Sequence, residues 1–150
     1  MRMALAVLAW TAMAKTFRDL IVWQLAVELR EGVLPLLRAA PAKKDFRFCD
    51  QLADSVRSPA RNIAEGYGRF NPAEISQFVG YARASLDETE NHLRDGVASN
   101  YFPADRVGPL IKVCARCRKG LESWDSYLRR AQHDPRFRRR TKNPRREPSW

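Results

Sequence analysis

The sequence is short of acid, of histidine and of cysteine, and each shortage excludes something. Its 150 residues carry 17 Asp and Glu against 27 Lys and Arg, a formal net charge of +10. A balance that basic favours acidic partners, nucleic acid or an anionic membrane surface, without fixing a fold. Only two histidines are present, His92 and His133, and neither stands at ligand spacing from a cysteine. The C-x-x-C stretch from Cys114 to Cys117 therefore lacks the further ligands that zinc needs, and no βαβ pattern surrounds it to suggest thioredoxin-like chemistry. Three cysteines (Cys49, Cys114, Cys117) make no disulfide framework. On apolar helix faces they act as small hydrophobes, which suits a reducing, cytoplasmic setting. No metal and no cofactor is expected.

A long hydrophobic run is also missing. The apolar stretch from Met3 to Ala14 falls short of the roughly 20 residues that span a bilayer, and the basic tail shows no amphipathic pattern for lipid headgroups, so no membrane partner is expected. With its early arginine and its Ala12-Met13-Ala14 triplet it imitates a secretory signal. The competing reading is a start at Met13 preceded by an upstream extension, and a basic, thiol-reduced chain favours that second reading. Residues 1–16 are set aside as an N-terminal extension on this basis.

Catalytic sets are absent as well. Asp87, Glu88 and Glu90 crowd together near Ser85, but no nucleophile, base and orienting group emerge from them. Glu-x-x-His pairs, which a di-iron bundle requires, do not occur. The chain is not expected to be an enzyme.

What the sequence does have is helical periodicity. A first helix is predicted from about Arg18 to Ala39, with Leu20, Trp23, Val27 and Leu34 beside Leu25, Leu29, Val33 and Leu36 on a broad apolar face. A second, from about Phe46 to Tyr67, carries Cys49, Leu52, Val56, Ala60, Ile63 and Tyr67 at steps of three and four. Asn71-Pro72 supplies a cap and a first-turn proline for a third helix reaching to about Ser99, with a stripe from Ile75 and Phe78 to Leu93 and Val97. The fourth runs from about Ala104 to Ala131 through Val107, Leu110, Cys114, Cys117, Leu121, Trp124 and Leu128. Four long helices with short connections read as an all-α, antiparallel up-down four-helix bundle over residues 17–131.

Beyond it, residues 132–150 hold seven cations (Arg136, Arg138, Arg139, Arg140, Lys142, Arg145, Arg146) against Asp134 and Glu147. Such a segment buries no core and is expected to be disordered. Phe137 and Trp150 among the arginines favour nucleic acid over a merely solubilising role.

The stretch "SPARNIAEGYGR", Ser58 to Arg69, is the hardest to place. Its glycines do not make a dinucleotide fingerprint, because a helix and not a strand precedes them. Gly66 and Gly68 are expected to allow close helix approach and to stop the second helix, and Pro59 to bend it without ending it.

Three segments, "FRDLIVWQLAVEL" (17–29), "QLADSVRSPARNIAEGYGR" (51–69) and "EISQFVGYARASLDETENHL" (74–93), resemble the 23S rRNA intervening-sequence protein family, also described as four helix bundle proteins. "NIAEGYGR" with "ASLDE" is the most specific part. The resemblance implies a small all-α bundle, often a homopentamer, encoded in bacterial 23S rRNA gene insertions or elsewhere. A related branch, the accessory proteins of diversity-generating retroelements, binds nucleic acid and a reverse transcriptase. Carried over, the motif residues are Asn62, Glu65, Gly66, Gly68 and Arg69 on the second helix, with Ser85 and Glu88 on the third. The four polar ones, Asn62, Glu65, Ser85 and Glu88, suit an interhelical network that sets register. Glu65 also stands four residues before Arg69, the favoured orientation for a helix ion pair.

The resulting expectation is a non-enzymatic homo-oligomer that binds RNA or DNA without sequence specificity. Arg57, Arg61, Arg69, Arg116, Arg118, Lys119, Arg129 and Arg130 would contact phosphates, with Arg136, Arg138, Arg139 and Arg140 adding affinity. The competing expectation is an oligomeric scaffold that docks a protein partner such as a reverse transcriptase.

Overall fold

The computed structural model describes residues 14–39 and 41–134. Four α-helices account for most of them: α1 (Ile21–Leu37), α2 (Phe46–Tyr67), α3 (Pro72–Ala98) and α4 (Ala104–His133). Strands are absent among the described residues. The helices form a bundle in which α2 packs on α1 and α3, and α4 on α3 and α1. The expected extension before Met13 and the cationic segment from Pro135 lie outside the described residues.

Cross-helix partners give the relative direction of α2 and α3. Gly66 of α2 meets Ile75 and Phe78 of α3. Further back along α2, Ser58 meets Ser85, Ser55 meets Thr89 and Phe48 meets His92. Partners thus descend α2 as they ascend α3. On the other side, Gly32 and Val22 of α1 meet Leu110 and Gly120 of α4 in the same crossed order. A Cβ on Gly32 would stand 2.4 Å from Leu110 Cδ2, and one on Gly120 2.6 Å from Val22 Cγ1, so both glycines let α1 and α4 approach closely.

The core follows the apolar stripes. Leu29 and Val33 of α1, Leu52, Val56 and Ile63 of α2, Leu86 and Leu93 of α3, and Leu121 of α4 are fully buried. On α1 the stripe through Leu25 and Leu29 points inward, while Trp23, Val27 and Leu34 are only half-buried. Cys114 and Cys117 are buried and free, and burial pushes each thiol up to about 12. Thiols held that far from ionisation make poor nucleophiles and poor metal ligands. The Cys117 Sγ donates to the Val22 carbonyl at 3.3 Å, another tie between α4 and α1.

Helix ends differ from the sequence expectation at four places. The chain from Phe17 to Asp19 forms a separate 3₁₀ turn, so α1 begins at Ile21 and not at Arg18. The cause is a capping box: Thr16 accepts from the Arg18 N–H, and Asp19 Oδ2 accepts from the Thr16 N–H at 2.8 Å. α1 also ends at Leu37, two residues early, just past Pro35. At the far end α4 continues through Gln132 and His133, which moves the boundary of the bundle past Ala131. It stops where Asp134 turns extended before Pro135, a residue that disfavours helical geometry in its predecessor.

The fourth difference concerns Gly68. It caps α2 but keeps right-handed geometry (φ −75°, ψ −5°), so α2 does not end on a left-handed glycine. Asn71 restarts the chain by accepting from the Ala73 N–H at 2.9 Å, with Pro72 opening α3. The left-handed stop occurs instead at Asn100 (φ 57°), after α3. There the Tyr101 N–H reaches back to the Gly96 carbonyl at 2.8 Å and the Asn100 N–H to Val97 at 3.0 Å. That pair of bonds is a Schellman closure with asparagine where glycine is usual.

Candidate nucleic-acid interface

Cations in this bundle fall into two groups, those already neutralised and those that are not. Arg118 belongs to the first. Its Nε donates to Asp87 Oδ1 at 2.8 Å and its Nη2 to Glu90 Oε2 at 2.7 Å, across the α3–α4 seam. Glu90 also accepts from Arg94 at 2.7 Å. Hydrogen bonds from Arg118 and then Arg94 hold the Glu90 carboxyl below its usual range, and the Glu90 bond raises Arg118. An arginine held by two carboxylates offers little charge to a phosphate.

Arg129 and Arg69 are similarly engaged. Arg129 Nε donates to the buried Asp125 at 2.9 Å, and Ser76 Oγ donates to the other oxygen of that carboxylate. Arg69 pairs with Glu65 one turn back and lies over the Phe78 ring, 5.1 Å from its centroid. Glu65 is thereby directed to Arg69, and Glu88 to His92 at 3.6 Å. Neither joins an interhelical network. The network that does form uses Asn62 and Ser85 through a residue the motif reading passed over. Asn62 Nδ2 donates to Ser58 Oγ at 2.9 Å, and Ser85 Oγ bonds the same oxygen at 2.7 Å. One turn away, Thr89 Oγ1 meets Ser55 Oγ at 3.1 Å. Gly66 serves contact, since a Cβ there would sit 3.0 Å from Phe78 Cβ.

Arg116, Lys119 and Arg130 belong to the second group. All three are exposed, and none has an ion pair among the described residues. They share one outer face of α4 with Lys112, which the sequence reading missed. Steps of four, three and eleven residues are close to whole helical turns, so the four cations line a stripe about 27 Å long. The i, i+4, i+7 spacing of Lys112, Arg116 and Lys119 was the available signal. Beyond its first turn α4 has only two acids, Glu122 and Asp125, and both face α3 through Arg83 and Ser76. Neither acid of these later turns is thus turned to the stripe.

Arg57 and Arg61 stand elsewhere, on the exposed flank of α2 beside α1. The expected phosphate contacts thus divide between two faces and do not converge on one. Arg136, Arg138, Arg139 and Arg140 lie outside the described residues.

A sequence model of the 23S rRNA-intervening sequence protein matches residues 18–123. The chain belongs to the 23S rRNA-intervening sequence protein family. The match spans α1 to α3 and most of α4, so both cationic faces of the bundle arise largely within the family region, while Arg129 and Arg130 lie just beyond it. No curated protein matches the chain. Among the described residues no group of three or more His, Cys, Asp or Glu is placed to hold a metal ion. Nor is any described helix long and apolar enough to cross a membrane.

Proposed function

We propose that this family member is a non-enzymatic nucleic-acid-binding bundle that contacts RNA or DNA phosphates through the outer face of α4. The observation that carries the reading is the stripe of Lys112, Arg116, Lys119 and Arg130, exposed and without carboxylate partners among the described residues. Each phosphate that such a cation neutralises releases condensed counterions, so affinity falls steeply with salt and is indifferent to base sequence. The crossed order of interhelical contacts supports an antiparallel, up-down bundle. In this reading the Arg-rich stretch after residue 134 adds further phosphate contacts. Three free thiols suit a reducing, cytoplasmic compartment of a bacterial cell.

Phe70 and Phe46, 90% and 78% exposed, favour a second reading. Aromatic rings left in water are what an interface with another protein covers, whether further copies in a homo-oligomer such as a pentamer or a docked partner. Binding of duplex DNA and structured RNA across a salt series separates the two, with the full chain and a chain ending at Asp134. Phosphate binding predicts salt-sensitive affinity in both, weaker in the shorter one. Absence of binding by either at low salt removes the nucleic-acid reading and leaves the scaffold.

A further inference from the structure

Between α1 and α2 lies an open groove of about 510 Å³, on the opposite side of the bundle's contact scheme from the α3–α4 ion pairs. Its volume falls in the range of small-molecule sites. Trp23 lines it from α1, and Arg57 and Arg61 from α2, with Arg30 on the α1 side. Ala60 and Ala64 make its floor, and residues with no side chain beyond Cβ leave room for a flat ring against the helix. Trp23 is half-buried, its ring edge steadied by Phe17 at 5.4 Å. A tryptophan held this way is a fixed platform and not a mobile surface side chain.

The charges around it are available. Arg57 has no ion pair among the described residues. Arg30 reaches Glu31 only at 4.0 Å, and Arg61 reaches Asp54 at 3.7 Å with both side chains largely in solvent. Exposed pairs at such distances are weak and easily exchanged. By contrast Arg118 is held at 2.7–2.8 Å by two carboxylates. A groove with an aromatic platform, three loosely held guanidinium groups and no acid in its lining matches a planar, anionic ligand. Nucleotides have both properties, and in a duplex their bases are stacked away from such a platform.

We propose that the α1–α2 groove binds a single-stranded nucleotide segment, one base stacking on Trp23 and the adjoining phosphates meeting Arg57, Arg61 and Arg30. This rests on the nucleic-acid reading above and adds a distinct site to it: α4 meets the backbone of any form, and the groove selects unpaired strand. Stacking on a protein aromatic is tolerant of base identity, so preference for strandedness comes without sequence preference.

The test is anisotropy of labelled oligouridine and of an RNA duplex of equal length, with the full chain and its Trp23→Leu and Arg57→Ala variants. Trp23→Leu keeps an apolar side chain at a half-buried position, and Arg57→Ala touches only an exposed one. Both are expected to weaken oligouridine by about tenfold and to leave the duplex unchanged. Arg57→Ala should also make the single-strand salt dependence shallower. Unchanged oligouridine affinity in both variants, with duplex binding intact, overturns the groove alone. A variant that alters the sedimentation coefficient but not oligouridine affinity also overturns it, because the groove is then a subunit contact. If the unaltered chain binds neither ligand at low salt, the phosphate reading fails and the groove with it.

Discussion

Two glycines on the same helix show how far a single residue is set by what faces it. A Cβ on Gly96 would stand 2.4 Å from the Phe102 ring and 3.1 Å from Phe48, whereas one on Gly80 meets nothing within 4 Å. Gly96→Ala is expected to destabilise the fold by about 1–3 kcal/mol, because a buried ring cannot give way. Gly80→Ala is expected to stabilise it by about 0.5–1 kcal/mol, through helix propensity alone. Urea midpoints of the two variants check both signs. Asp45 offers a test by pH. It caps α2 by accepting from the Phe48 N–H at 3.0 Å and from the Tyr101 hydroxyl at 2.8 Å, and these bonds, the backbone one first, lower its carboxyl. A depressed folded value means stability that is present above the ordinary carboxylate range and lost as pH falls through the folded one. The same bond raises Tyr101, so on the alkaline side its contribution is present below the ordinary tyrosine range and lost as pH rises through the folded value. Tyr101→Phe removes the shared bond. Stability measured against pH should then be flatter on both limbs than in the unaltered chain.

Among the elements, α2 was the most legible: its limits, Phe46 to Tyr67, match the sequence reading. The stripes of α2 and α4 were legible for the same reason, since the period of burial is a property of one helix. What a helix offers its neighbours was not. In the sequence the acid at helical spacing from Arg118 is Glu122, but Glu122 goes to Arg83 and Arg118 goes across to Asp87 and Glu90 on another helix, a pairing that no i, i+4 pattern announces. Glu65 and Glu88 belong to the motif that suggests an interhelical network, yet each has a partner four residues on, Arg69 and His92, and the local pairing wins; for Glu65 that i, i+4 spacing is itself legible in the sequence. The hydroxyl ladder between α2 and α3 is likewise a product of their packing. Its hub is Ser58 Oγ, but Asn62 Nδ2 also bonds the Ser58 carbonyl at 3.0 Å, and Ser85 Oγ the Tyr81 carbonyl at 3.0 Å. Ser58→Ala should therefore cost only about 0.5–1 kcal/mol, since neither partner is orphaned. A loss in chemical denaturation several times larger would mean that the ladder carries stability and not only register.

For the whole molecule, formal charge misleads where free charge informs. The chain is +10, but the described structure locks Arg118, Arg129 and Arg94 into pairs on and beside the α3–α4 seam, pairs Arg69 with Glu65 at the end of α2, and leaves the outer face of α4 open. The net charge was plain in the sequence; its distribution needed the packing of α3 on α4 to appear. Arg118→Ala is accordingly expected to destabilise the bundle, leaving Asp87 and Glu90 facing each other, while changing nucleic-acid affinity little once the variant is folded. Thermal melting and duplex binding of that variant together check both halves. The decisive measurement is the slope of log K against log salt for duplex DNA with Lys112, Arg116, Lys119 and Arg130 all replaced by alanine in the full chain. Phosphate contact along α4 predicts weaker binding and a slope shallower by about 3–4 than that of the unaltered protein. An unchanged affinity with an unchanged slope would show that the outer face of α4 meets no phosphate.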